Sequence, residues 1–334
     1  MRHLIIGGDG FVGHQLACDL EAMGEKVVIA DIAKSPHAIY SRVPHVFIDV
    51  TKRETLNALE VAPDDMIYNL SAKMLSPIMP RAKRHDFFYP VNCHGVANIL
   101  DWMTTTGNRR LVHFTTDMVY GHALKSPVTE DHRAEPLGEY GMSKLDSEAL
   151  CHKYREKGFS ISIFRPRLII GPGRLGILSK LFKLVDANLP IPMIGGGHNA
   201  YQFISVYDCA SAARLAWQGG VPNAVYNLGS DEPPPVRELL GKLVAEAGSS
   251  SFLLPTPAPL VKFALNTLDF VNLPLMDPEQ YLIADEHCVL DTSALKRDLG
   301  WVPQHRDEDM LIAAYRTYRA TKAGPAPAQQ SSFA

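Results

Sequence analysis

The chain has 334 residues, enough for one large α/β domain or a large domain with a smaller one attached. Hydrophobic residues make up 46% and charged residues 21%, and the net charge of −3 comes without a basic block, which argues against a nucleic-acid partner. No apolar run approaches the roughly 18 residues of a bilayer span, we expect no signal peptide, and five scattered cysteines without a CxxC pair fit reduced thiols in a cytoplasm. The 13 histidines show no ligand spacing, so no metal is expected.

The first stretch, Met1 to Asp31, reads as strand, glycine turn, helix and strand. Leu4, Ile5 and Ile6 form a short apolar run, followed by Gly7, Gly8, Gly10 and Gly13 in a GxxGxxG spacing. Phe11, Val12, Leu16, Ala17, Leu20 and Met23 recur at helical spacing up to Gly24, and Val27 to Ala30 then ends at Asp31. Glycines there let the backbone approach a pyrophosphate, and the helix N-terminus offers free N–H donors. Asp31 is placed to accept hydrogen bonds from a ribose diol and would repel a 2′-phosphate, so the unit predicts NAD(H) rather than NADP(H).

A third apolar run, His45 to Val50, ends in Asp49-Val50, an acid and an apolar side chain suited to an adenine amino group and ring face; Asp49 equally suits a cap for a helix from Thr51 to Glu60. Met66 to Leu70 predicts a fourth strand, with Leu70, Ser71 and Ala72 leaving room for a dinucleotide. A long helix from about Arg81 to Thr106 carries Asn92, and Arg109 to Thr116 predicts a fifth strand ending in Thr115-Thr116-Asp117. A loop, a helix from about Gly138 to Lys157, a sixth strand from Ser160 to Arg165 and a turn at Gly171 to Gly173 follow. The alternation means a doubly wound parallel sheet.

Beyond it we expect a helix near Gly176 to Asn188, another from about Tyr207, a strand at Ala224 to Leu228 and a helix from Val236. Phe252 to Leu275 is apolar with prolines and suits one wall of a substrate cavity. The division expected is an NAD-binding Rossmann domain over 1–170, with 201–230 returning to it, a mainly substrate-binding domain over 171–322, and a disordered tail over 323–334.

Tyr140 and Lys144 stand at i and i+4 on one helix face, and Thr116 ends the fifth strand. An adjacent ammonium favours a phenolate, so Tyr140 is suited to take a proton from a substrate hydroxyl while NAD takes the hydride from the same carbon. Lys144 would also hold the nicotinamide ribose, and Thr116 would orient the reacting oxygen. Along the cofactor the sequence places Gly7, Gly10, Phe11, Val12, Gly13, Asp31, Asp49, Val50, Leu70, Ser71, Ala72, Asn92, Thr115, Tyr140 and Lys144. Of the smaller signals, Lys73 reads as a solvated lysine, Met74, Met79, Met103 and Met118 as cavity lining or core, Asp208 and Arg214 as structural, His113 as a satisfied core residue, and His122 and His132 as loop residues.

GGDGFVG, ADIAKS, DVTK, NLSAK, VNCHGVANIL, TTDMVYG, YGMSK, RPRLIIGPG and LDTSALKRDLGWVP together resemble the extended short-chain dehydrogenase/reductase superfamily, in its NAD-dependent epimerase/dehydratase branch. The resemblance implies a Rossmann domain with a smaller C-terminal substrate domain, the Thr116–Tyr140–Lys144 roles with Asn92 supporting them, and a homodimer built from the Asn92 and Tyr140 helices. Departures bear on the substrate. Met118 stands where dehydratases carry Glu after the Asp117 position, Leu168 where epimerases carry Asn, and Tyr201 where they carry an Arg for the diphosphate. Arg167 and Arg174 are candidates to replace that Arg, and Asp117 either tunes the site or caps a turn. LIIGPG with Gly195 to Asn199 also resembles hydroxysteroid-dehydrogenase-like members. The leading expectation is an NAD-dependent epimerase of a nucleotide-activated sugar; the alternative is a dehydrogenase of a secondary alcohol that releases NADH.

Overall fold

The computed structural model describes residues 1–173, 176 and 178–322; Arg174 and the expected tail lie outside them. Seven strands form one parallel sheet: β1 (His3–Ile6), β2 (Val27–Asp31), β3 (His45–Phe47), β4 (Met66–Asn69), β5 (Arg110–Phe114), β6 (Ser160–Pro166) and, much later, β10 (Val225–Leu228). Their order is β10-β6-β5-β4-β1-β2-β3, so the direction in which strands are added to the sheet reverses between β1 and β4. The central strands are buried on both faces, which is why they read as unbroken apolar runs. Ile5, Tyr68 and Val112 face one layer, while Leu4, Ile6, Ile67 and Leu111 face the other.

The first layer is α1 (Phe11–Ala22) against α7 (Val206–Gln218), where Ala212, Ala213 and Ala216 let the helices approach closely. The second holds α2 (Arg53–Leu56), α3 (Arg84–Tyr89), α4 (Gly95–Thr106) and α5 (Glu139–Arg155). One expectation changes here and another is refined. The helix from Thr51 shrinks to the four residues of α2. The helix from Arg81 runs on to Thr106 but widens at Pro90, which has no N–H to donate; a wide helical turn over Pro90–His94 joins α3 to α4 and turns Asn92 inward.

Most of the remainder surrounds a satellite core: β7 (Leu168–Ile170), α6 (Leu178–Asp186), β8 (Ile191–Ile194), β9 (Phe203–Ser205), α8 (Val236–Glu246), β11 (Leu253–Thr256) and α12 (Asp307–Lys322). Phe182, Leu243, Leu311 and Tyr315 fill its centre. α9 (Ala258–Phe270) and α10 (Pro278–Tyr281) lie outside that cluster, and α11 (Ser293–Leu299) returns to the sheet, where Leu295 joins the first layer's core. Of the apolar stretch Phe252 to Leu275, only Leu275 reaches the cavity described below; α9 turns Leu260, Phe263 and Phe270 outward. No helix among the described residues is long and apolar enough to cross a membrane.

Candidate active site

A cavity of about 360 Å³ opens where the sheet reverses, at the carboxyl ends of β1 and β4. One end is lined by Gly7, Gly10, Phe11, Val12, Gly13, Leu70 and Ala72, the middle by Thr115, Thr116, Tyr140 and Lys144, and the far end by Asp117, Met118, Arg167 and Tyr201. The fold thus gathers most of the expected residues, from strands and helices far apart in sequence, into one space.

The glycine turn fits a pyrophosphate. A Cβ on Gly7 would lie 2.4 Å from the Ser71 nitrogen, and one on Gly13 2.3 Å from the Gly7 carbonyl oxygen. Gly10 caps α1 without a side-chain hydrogen bond, and the first turn holds no acid. The leading N–H groups of α1 are therefore left for an anion. Asp31, at the end of β2, accepts from the backbone N–H of Asp9 (3.0 Å) and of Ala33 (3.1 Å), which fixes its carboxylate beside the turn with lone pairs to spare. Asp9, which sequence reasoning passed over, ties down the loop after β2: its carboxylate accepts from the Ser35 N–H and hydroxyl and from the Tyr40 hydroxyl. Burial pushes its pKa up, but these hydrogen bonds prevail and hold it below the usual carboxylate value.

Tyr140 is buried, its hydroxyl 3.6 Å from the Met74 sulfur and its ring 5.5 Å from that of Phe88. Lys144, one turn on, is also buried and donates from Nζ to the Phe114 carbonyl at 3.1 Å. Burial lowers its pKa to about 8, with Glu148 opposing, so the ammonium remains the main form at neutral pH. His113 lies beneath, bridging the Asn69 amide (3.2 Å) and the Ser147 hydroxyl (3.0 Å). Burial pushes it down to about 3, with Lys144 adding, so it is the neutral core residue expected. Thr116 has left the sheet; its hydroxyl accepts from the Met118 N–H and donates to Asp117.

Several expected contacts take another form. Thr115 borders the cavity, but its hydroxyl donates to Glu148 at 2.7 Å. Asn92 is buried and exchanges hydrogen bonds with the Lys73 backbone and Ser143, so it holds the loop after β4 to α5 instead of lining the cavity. Asp49 caps the turn at Thr51, Val50 packs under Gly95, and Ser71 donates to Asn69. The cavity reaches none of these four. Asp117 does not cap a turn: it forms a buried ion pair with Arg167. Lys73 sets its ammonium 5.3 Å from the Phe87 ring centre.

Glu279 on α10, unmarked by any motif, accepts from the backbone N–H of Tyr140 and of Gly141, both at 2.9 Å. It caps α5 from 139 residues away. Gly138 and Gly141 have no room for a side chain because this carboxyl lies against them. Burial, reinforced by Asp277, pushes Glu279 up from 4.5 to about 8. The folded chain then keeps a proton that the unfolded chain sheds, so this group's contribution to stability falls as pH climbs from 4.5 to 8. Glu279→Gln is expected to flatten that slope in melting temperatures taken between pH 5 and 8; identical slopes in the two proteins would refute the burial account.

The parallel sheet with its glycine turn, together with Thr116, Tyr140 and Lys144 on one cavity, defines an NAD-binding enzyme of the extended short-chain dehydrogenase/reductase type. The family model for "NAD dependent epimerase/dehydratase family" matches residues 3–229, and the chain belongs to that family. The uncharacterized protein y4nG of Sinorhizobium fredii is 30% identical over 321 residues, 96% of this chain and 79% of that one. A 2-alkyl-3-oxoalkanoate reductase of Stenotrophomonas maltophilia is 25% identical over 330 residues, 93% of this chain and 97% of that one. The crystal structure of a UDP-glucuronic acid 4-epimerase from Bacillus cereus in complex with NAD superposes with a TM-score of 0.75 at 22% identity, covering 98% of this chain and 99% of that one.

Proposed function

We propose that this chain is an NAD-dependent epimerase that acts on a nucleotide-activated sugar through a transient ketone. The observation that carries the reading is the single cavity running from the glycine turn past Thr116, Tyr140 and Lys144 to Arg167 and Tyr201. In such a space cofactor and substrate meet without bulk water between them. Bound NAD supplies the acceptor for a hydride and its return. Tyr140 takes the proton of the sugar hydroxyl, the Lys144 ammonium favours the phenolate, and Thr116 donates to the reacting oxygen once substrate draws its hydroxyl from Asp117. Met118, in place of a second acid, speaks against dehydration. Asp117, Met118, Arg167, Arg174 and Tyr201 belong to the substrate in this reading, and a homodimer in the cytoplasm belongs to it as well.

A second reading is a dehydrogenase of a secondary alcohol. Leu168 and Tyr201 replace the polar pair that epimerases use, and Ile169, Leu178, Leu275 and Met276 add apolar side chains to the cavity wall. The protein as purified separates the two. An epimerase is expected to carry about one NAD(H) per chain through gel filtration and to release no free NADH during turnover. Steady accumulation of NADH, followed by absorbance, would discard the epimerase in favour of the dehydrogenase.

A further inference from the structure

Arg167 lies between β6 and β7, its backbone N–H fixed on the Leu228 carbonyl at 2.9 Å. Its side chain is 1% exposed. Nη1 donates to Asp117, and the guanidinium carbon sits 4.5 Å from the centre of the Tyr201 ring. The remaining nitrogens, Nε and Nη2, are buried without a hydrogen-bond partner. They share one edge of the planar group, and their N–H bonds run parallel at the spacing of two carboxylate oxygens. A buried cation with two unmet donors on one edge is costly unless something from outside the chain meets them.

The place of this edge narrows what that partner is. Arg167 borders the same cavity as Thr116, Tyr140 and Lys144, and Asp117, which holds its Nη1, also receives the Thr116 hydroxyl, so the guanidinium lies close to the group that orients the reacting oxygen. Lys144 is committed to Phe114, and Lys180, the other lysine on the cavity, donates to the Leu275 carbonyl. We propose that Arg167 is a carboxylate fork and that the substrate bears a carboxylate close to its reacting carbinol carbon. Resting on the nucleotide-sugar reading, the substrate is a nucleotide sugar whose ring carries an acid group. The carboxylate half stands on the Arg167 geometry alone. A diphosphate attached through the anomeric oxygen is a different anion at a different point of the substrate, and the test below separates the two.

Binding to the NAD-loaded protein is measured by calorimetry with two matched pairs: UDP-glucuronic acid against UDP-glucose, and 3-hydroxydecanoate against its methyl ester. The acid is expected to bind at least about tenfold more tightly than its neutral partner in one pair or both. Arg167→Gln is expected to erase that preference, the acid losing at least about tenfold more affinity than its neutral partner. Arg167→Lys keeps the charge without the fork and is expected to recover only a small part. A preference in the UDP pair upholds fork and nucleotide sugar together; a preference confined to the decanoate pair upholds the fork and discards the nucleotide sugar. The proposal falls if neither pair favours the acid in the unaltered protein, or if the preference survives in either variant. It falls equally if Arg167→Gln weakens both UDP ligands alike, since the fork would then hold the diphosphate. Should Arg167→Gln not fold, the unaltered protein and Arg167→Lys decide by the same criteria.

Discussion

Tyr140→Phe is expected to lower kcat by about 10²- to 10⁴-fold, the range spanned by loss of a positioned acid–base group. The change removes one oxygen. The ring stays against Phe88, and the helix that carries it stays capped by Glu279. The melting temperature should therefore hold, and NAD titration should reach the same stoichiometry, because the glycine turn and the open end of α1 are untouched. What goes is the site that accepts the substrate proton. Lys144 offers no replacement: its Nζ is held on the Phe114 carbonyl, and near neutral pH it carries its proton. His113 is no substitute either, being engaged by Asn69 and Ser147 below the cavity floor. Turnover within threefold of the unaltered enzyme would remove Tyr140 from the chemistry, whichever substrate is used.

The parts of this molecule legible from sequence are those in which one short stretch contains its own reason. Leu4, Ile5 and Ile6 announce a strand buried on both faces; Gly7 and Gly13 announce a turn where a Cβ would strike backbone. Tyr140 and Lys144 are four residues apart on a helix, so their shared face follows from its period. The parts that stayed hidden join distant stretches. Nothing in the DPEQY segment says that Glu279 will cap a helix at Tyr140, 139 residues earlier, because any buried acceptor of that reach would serve. Asp9 looks like an ordinary turn residue until Ser35 and Tyr40 fold onto it. Asp117 is ambiguous for the same reason: its role depends on Arg167, which arrives from another strand. Pro90 marks a missing N–H, but that the helix would pass it as a wide turn depends on what Asn92 finds to bond.

Arg84→Met is expected to lower the unfolding free energy by about 3–5 kcal/mol, as when one partner is taken from a buried ion pair. Arg84 sits on α3 with its side chain 7% exposed, between two acids of the C-terminal half. It makes a two-pronged contact with Asp269 and lies 3.4 Å from Asp277. Methionine fills much of the same space, so the loss is electrostatic: two carboxylates stay buried without a cation. Burial already raises Asp277, with Arg84 opposing, and Glu279 next to it is raised as well. Removing the guanidinium raises both further. Groups whose folded pKa is raised favour the folded state most at low pH, so the deficit in urea midpoints should be smaller at pH 5 than at pH 8. Asp269→Asn added to Arg84→Met should restore part of the loss by discharging one of the stranded acids. Because Asp277 starts the turn that carries Glu279 to the N–H groups of Tyr140 and Gly141, the same variant should also lower kcat, although Arg84 does not line the cavity. A deficit under 1 kcal/mol at pH 8 would mean that water reaches these acids, and that α5 is held in place by its own packing and not by the C-terminal half of the chain.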